Sequence, residues 1–301
     1  SMAGCSVHGP NTYGWFGDTN NSRLAGTSGL RIRWTEQLTE ELDSSYQPVE
    51  HAAAALDPRR DRVYVGSSGG DFYAFDSGGQ RKFHYNPRSG IEAAPAIDPQ
   101  WGDIYLASED GVVHALRSRT GEVRWKESAP GPVRQSPVLT EDAVFAITES
   151  DEVVAFSRED GEILWTHRRD VDVELAIVGH SGLTLHEGVL YAGFTDGMVA
   201  ALRVADGGVV WERPTQLDIE ENNDAHTFYD ADATPVVVDD IVYCASFAAG
   251  VYALDRSNGT VLWREPIKGV NGLTTAGRFL VLASADEGVL TLDRNTRERL
   301  W

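Results

Sequence analysis

The chain has 301 residues, 42% of them hydrophobic and 24% charged, which excludes a disordered chain and supplies enough apolar surface for a large core. Its 46 acidic residues outweigh 26 basic ones, a formal charge of −20 that excludes nucleic acid as a partner, because a phosphate backbone would be repelled. The two cysteines, Cys5 and Cys244, exclude a disulfide scaffold and a four-cysteine metal site, and no apolar run reaches the roughly 18 residues of a membrane-crossing helix.

In chain order, Ser1 and Met2 read as a cloning remnant, and residues 1–29 read as a Gly- and Asn-rich tether carrying Cys5. From residue 30 the sequence is a repeat. The phrase at 253–263, Ala-Leu-Asp-Arg-Ser-Asn-Gly-Thr-Val-Leu-Trp, matches 115–125 without a gap and returns at 155–165, 201–211 and 291–301, shortened at 74–83. Its anchors Trp34, Phe83, Trp125, Trp165, Trp211, Trp263 and Trp301 stand 49, 42, 40, 46, 52 and 38 residues apart. Within each unit, short period-two strands alternate with turns rich in Gly, Asp and Asn, and no stretch keeps a helical period. Four antiparallel strands per interval define an all-β fold, a β-propeller, with residues 30–301 as one propeller domain.

In such a blade the Trp of the outer strand spans the gap to the next blade while its indole N–H finds a carbonyl, and the preceding Gly supplies the positive φ of a tight hairpin. Trp34, Trp125, Trp165, Trp211, Trp263 and Trp301 are therefore expected to be structural. Residues 30–34 read as a fourth strand without the other three, followed by six full repeats. Since an orphan of this kind completes the last blade of a ring, seven or eight blades are expected, with the last strands missing from this sequence.

Few motifs suggest chemistry. Gly66, Ser67, Ser68, Gly69 and Gly70 form a run that meets the G-x-S-x-G pattern with Ser68 at the serine position, but it occupies a repeat turn rather than a strand-to-helix elbow. His180 and His186 are too isolated for a metal pair, and residues 218–224 hold oxygen ligands without EF-hand spacing, which reads as a solvated acidic loop. Asp230 and Asp232 alternate on an extended segment, so their side chains are expected on one side. No catalytic residue, cofactor or metal is expected.

The Ala-x-Asp-x-x-x-Gly-x-x-x-Trp phrase resembles the repeat of pyrroloquinoline-quinone-type propellers. Residues 230–238, continuing to Trp263 and Gly269-Val270-Asn271, are similar to a blade of the BamB family, lipoprotein subunits of the bacterial outer-membrane β-barrel assembly machinery. Residues 174–181, Glu-Leu-Ala-Ile-Val-Gly-His-Ser, are similar to that family's BamA-docking loop, although Val178 stands where the family has arginine. The resemblance implies a non-catalytic scaffold at the periplasmic face of the outer membrane, with Leu175, Ile177, Asp230 and Asp232 contacting the periplasmic domains of a BamA-like protein. Unfolded outer-membrane proteins are possible clients. The Ala3-Gly4-Cys5-Ser6 run resembles the end of a lipobox, which makes Cys5 the lipidation site and an acyl anchor the link to the membrane. Two alternatives stay open: a quinoprotein dehydrogenase, disfavoured by the lack of adjacent cysteines, and a periplasmic or cell-surface propeller binding another ligand.

Overall fold

A computed structural model of the chain describes residues 32–38, 52–169, 181–215 and 230–301. All regular structure among the described residues is β-strand, and the chain divides into two compact units, Ser1–Arg134 and Gln135–Trp301.

The first unit holds two four-stranded antiparallel sheets. One runs β1 (Ala55–Asp57), β2 (Arg62–Gly66), β3 (Phe72–Phe75) and β4 (Arg81–Tyr85). The other runs β5 (Ala96–Ile97), β6 (Asp103–Ala107), β7 (Val112–Arg117) and β8 (Val123–Ser128). In the second unit the sheets are β9 (Val138–Leu139) to β12 (Ile163–His167) through β10 (Ala143–Ile147) and β11 (Val153–Ser157), and then β13 (Thr184–His186), β14 (Val189–Gly193), β15 (Met198–Arg203) and β16 (Val209–Pro214). After these come β17 (Ala233–Val238), β18 (Ile241–Ser246), β19 (Gly250–Asp255) and β20 (Val261–Glu265), and last a three-stranded sheet of β21 (Val270–Ala276), β22 (Phe279–Ser284) and β23 (Gly288–Asp293). Every strand pairs with its sequence neighbour, the cheapest topology because each hairpin closes only a short loop.

Burial differs by strand position. β6 and β10 are buried at all positions, so the second strand of a sheet is covered on both faces rather than half-buried as its period-two pattern predicts. Fourth strands bury little besides the aromatic anchor, as in β8, where Trp125 alone is buried. Each fourth strand of the four-stranded sheets also carries one extra residue at the same place, Lys82, Arg124, Leu164, Val210 or Leu262, where the register to the third strand shifts. Such a bulge bends and twists the edge strand just before its anchor.

Three of the tryptophan anchors reach turn carbonyls. The indole N–H of Trp165 donates to Val204 O at 2.9 Å and that of Trp211 to Arg256 O at 2.8 Å, each a carbonyl in the third turn of the next sheet. In the first unit Trp34 donates to Ser77 O at 3.1 Å. The turn glycines have a second role: a Cβ on Gly79, Gly121, Gly207 or Gly259 would lie 2.5 to 2.8 Å from the ring of Trp34, Phe83, Trp165 or Trp211. A second aromatic, on the second strand, meets each anchor. Tyr105 faces Trp125 at 5.8 Å, Phe145 faces Trp165 at 5.7 Å, Tyr191 faces Trp211 at 6.0 Å and Tyr243 faces Trp263 at 5.8 Å.

The structure corrects three expectations. Residues 32–38 form no strand, although Trp34 still docks on the first sheet; among the described residues no third strand lies alongside, so a fourth strand has no ladder to join there. The sixth repeat is a three-stranded sheet, not a full four-stranded one; after its last turn come one bridge, Leu292 to Arg299, and the bonds of Thr291 N to Trp301 O and of Leu300 N to Thr291 O. Trp301 itself is 75% exposed rather than packed as an anchor.

Candidate partner-binding site

The extended segment of residues 230–235 leads into β17, and four backbone contacts fix its course. Ala231 N donates to Phe194 O at 3.1 Å, Phe247 N donates to Asp230 O at 2.9 Å, Gly182 N donates to Thr234 Oγ1 at 2.8 Å and Thr184 Oγ1 donates to Pro235 O at 2.5 Å. Gly193 has to be glycine, since a Cβ there would stand 2.2 Å from Ala231 O. Pro235 sits where the β17–β18 register shifts, a place where a missing N–H breaks no ladder bond. Ser181, buried at the start of the preceding sheet, accepts Gly193 N at 3.2 Å, and its hydroxyl lies 3.5 Å from Ala233 O, which ties that sheet to the same place.

Two of the predicted acidic residues come together here, with a third. Burial, and then the charges of Asp230 and Asp151, push the Asp232 carboxyl from an ordinary 3.8 up to about 7. Asp151 comes from the hairpin turn between β10 and β11, where it adopts φ 58°, and accepts both the N–H and the hydroxyl of Thr195. Asp232 is half-buried, but Asp230 is only 1% exposed. The expected pair of surface carboxylates is thus one presented group backed by a buried one, because the segment is packed down by bonds to the preceding sheet, at Phe194, and to a turn of its own sheet, at Phe247.

Spacing gave no sign of Arg169. It follows the fourth strand β12 and bonds Asp196 and Glu212, each at 2.6 Å, with its guanidinium 4.9 Å over the Phe194 ring. These partners lie in the next repeat, so no local pattern in the sequence hints at a clamp. Leu175, Ile177, Val178, His180, Cys5 and residues 218–224 lie outside the described residues. Ser67 is buried in the β2–β3 turn and accepts Asp71 N at 3.1 Å, a turn-closing bond. His186 lies 4.0 Å from Glu187, and burial pushes the Cys244 thiol up to about 12, leaving it an apolar packing group.

Repeated sheets of this kind, with outer-strand tryptophans docked on the turns of their neighbours, define a β-propeller of the PQQ-like repeat class. The chain belongs to the BamB family: the family model described as "Outer membrane protein assembly factor BamB" matches residues 100–301. It is 29% identical to the outer membrane protein assembly factor BamB of Yersinia pestis over 198 residues, which is 66% of this chain and 50% of that protein. The chain therefore spans about half the length of the curated relatives it matches. The crystal structure of BamB from Moraxella catarrhalis superposes with a TM-score of 0.73 at 25% identity, over 83% of this chain and 74% of that one. The computationally designed Ika8 protein superposes at 0.64 with 16% identity, over 83% and 72%, a likeness of fold alone.

Proposed function

We propose that this protein is a non-catalytic scaffold of the outer-membrane β-barrel assembly machinery, held at the periplasmic face of the outer membrane by an acyl anchor on Cys5. Its partner in this reading is a BamA-like protein, bound through periplasmic domains. The observation that carries the reading is the family match, which includes the pinned segment 230–235. Leu175 and Ile177 supply the apolar anchor, Asp232 presents the charge, and Asp230 acts from beneath by its field and its fixed backbone. Client strands have a poorer docking place on this molecule, since every four-stranded sheet carries a bulge in its outer strand, a device that blunts edges against strand addition.

The test is binding of immobilised periplasmic domains of the partner. Asp232→Ala and Asp232→Asn should each weaken binding by about tenfold or more, as for a central interface charge. Retained affinity in both variants would remove Asp232 from the contact. Retention in the Asn variant alone would show that shape rather than charge is read. Independently, Cys5→Ser in the precursor should move the protein from the membrane fraction to the soluble periplasm.

A further inference from the structure

One part of the first unit departs from the acidic character of the chain. The turn between β5 and β6 holds Trp101, 68% exposed, at its tip. That turn is rigid: the buried Asp98 carboxylate accepts Gln100 N and Trp101 N, each at 2.8 Å, and Gly102 closes it at φ +80°. Arginines flank it on both sides. Arg59 donates to Pro99 O at 3.2 Å, and Arg60 lies so close that a Cβ on Gly102 would meet its Nη2 at 2.7 Å. On the other side Ser118 N donates to Gly102 O at 3.0 Å, which brings the turn carrying Arg117 and Arg119 alongside.

Across these three turns and the residues flanking them, Arg59, Arg60, Arg62, Arg117, Arg119 and Arg124 stand with Asp57, Asp61, Asp98, Asp103 and Glu122, a formal +1 (6 − 5) in a chain of −20. Asp57, Asp98 and Asp103 are only 4%, 2% and 7% exposed and are held by Arg60, by the turn's own N–H groups and by Arg124. What reaches solvent is an indole on a hairpin tip, with the guanidinium groups of Arg59 and Arg119 beside it, the exposed carboxylate of Asp61 and the pair of Arg117 with Glu122.

We propose that this rim of the first unit docks on an anionic phospholipid surface, with Trp101 entering the headgroup layer and Arg59 and Arg119 binding lipid phosphates. The shape favours a lipid surface over a polypeptide: hairpin tips are convex, and a convex aromatic needs a partner with a pocket unless the partner is a deformable interface. Indole rings settle at the headgroup level of bilayers, guanidinium groups pair with phosphate oxygens, and each basic residue near such a surface adds about 1 kcal/mol, or about fivefold in binding. The negative charge elsewhere on the chain is repelled by the same surface and so selects this one orientation. The contact is additional to any acyl anchor and does not involve the partner-binding segment of the second unit.

The experiment uses the full chain carrying Cys5→Ser, so that no acyl chain contributes, and sediments it with vesicles. One set is phosphatidylethanolamine with about one quarter phosphatidylglycerol; the other is phosphatidylcholine alone. The protein should sediment with the first set and not the second, and Arg59→Ala and Arg119→Ala should each lower partitioning by about fivefold. Trp101→Ala should lower it as well with no change in melting temperature, since the ring is exposed. Brominated lipids in the anionic vesicles should quench tryptophan fluorescence in the parent and not in Trp101→Phe. Equal partitioning onto both vesicle sets, unchanged partitioning in the variants, quenching that persists in Trp101→Phe, or failure to bind vesicles while an acidic polypeptide is bound through these residues would each overturn the proposal.

Discussion

Asp232 carries the most unusual protonation equilibrium in the candidate site. Its carboxyl titrates near 3.8 when the chain is unfolded and near 7 in the fold, because burial and the neighbouring Asp230 and Asp151 disfavour a further negative charge. Between those values the folded state holds a proton that the unfolded state has lost. Stability is therefore full below about pH 4 and is lost as pH rises through 7. Asp232→Asn removes this dependence. Denaturant melts should show the variant more stable than the parent at pH 8, by about 1–2 kcal/mol once screening by water on the half-exposed side is allowed for, and equal to it at about pH 4. A parent whose stability does not fall across this window would show that Asp232 ionises normally. A presented carboxylate that costs folding energy at neutral pH is the kind of local conflict that a functional contact retains.

Gly207 and Trp165, an interlocked pair of turn and fourth strand, are the unit by which one sheet holds the next. Gly207 is required twice, by φ +69° and by the Trp165 ring 2.6 Å from where a Cβ would stand. Gly188, at φ +76°, has open space around it. Gly188→Ala should therefore cost about 1 kcal/mol of conformational strain, whereas Gly207→Ala should cost about 2–4 kcal/mol, as the indole is also pushed from its bond to Val204. Equal losses of melting temperature in the two variants would mean that the indole contact adds nothing. This element was legible in the sequence because it recurs: an anchor and a turn glycine at constant spacing identify themselves by repetition. The matching aromatic on the second strand, Tyr105, Phe145, Tyr191 or Tyr243, recurs as plainly, inside apolar runs where nothing marks it as special. The candidate site was legible only in part. Alternation places Asp230 and Asp232 in register, but what lies over each is decided by the bonds of Ala231 to Phe194 and of Asp230 to Phe247, 37 and 17 residues away, and no local pattern reports such contacts.

At the scale of the whole molecule, fold and function separate. A designed protein shares the architecture at 16% identity, so the propeller by itself does not specify a partner, and what distinguishes this chain is the charge it carries over that frame. With 46 acidic and 26 basic residues the molecule repels itself, and its ion pairs are mostly at the surface, as between Arg256 and Glu187 or Arg203 and Asp206, where each contributes little. Salt acts on both terms. It weakens local pairs that are worth at most about 1 kcal/mol, and it screens a long-range repulsion spread over the whole acidic excess. The second effect is larger, so the melting temperature should rise as ionic strength increases from about 0.01 M to about 0.3 M, where the Debye length falls below about 10 Å. The same change in salt should weaken attachment to anionic vesicles through Arg59 and Arg119, because there the counterion cloud screens an attraction. Melting and sedimentation measured in one salt series should therefore move in opposite directions, and a melting temperature that falls with salt would show that the arginine pairs, rather than the acidic excess, govern the electrostatics of this protein.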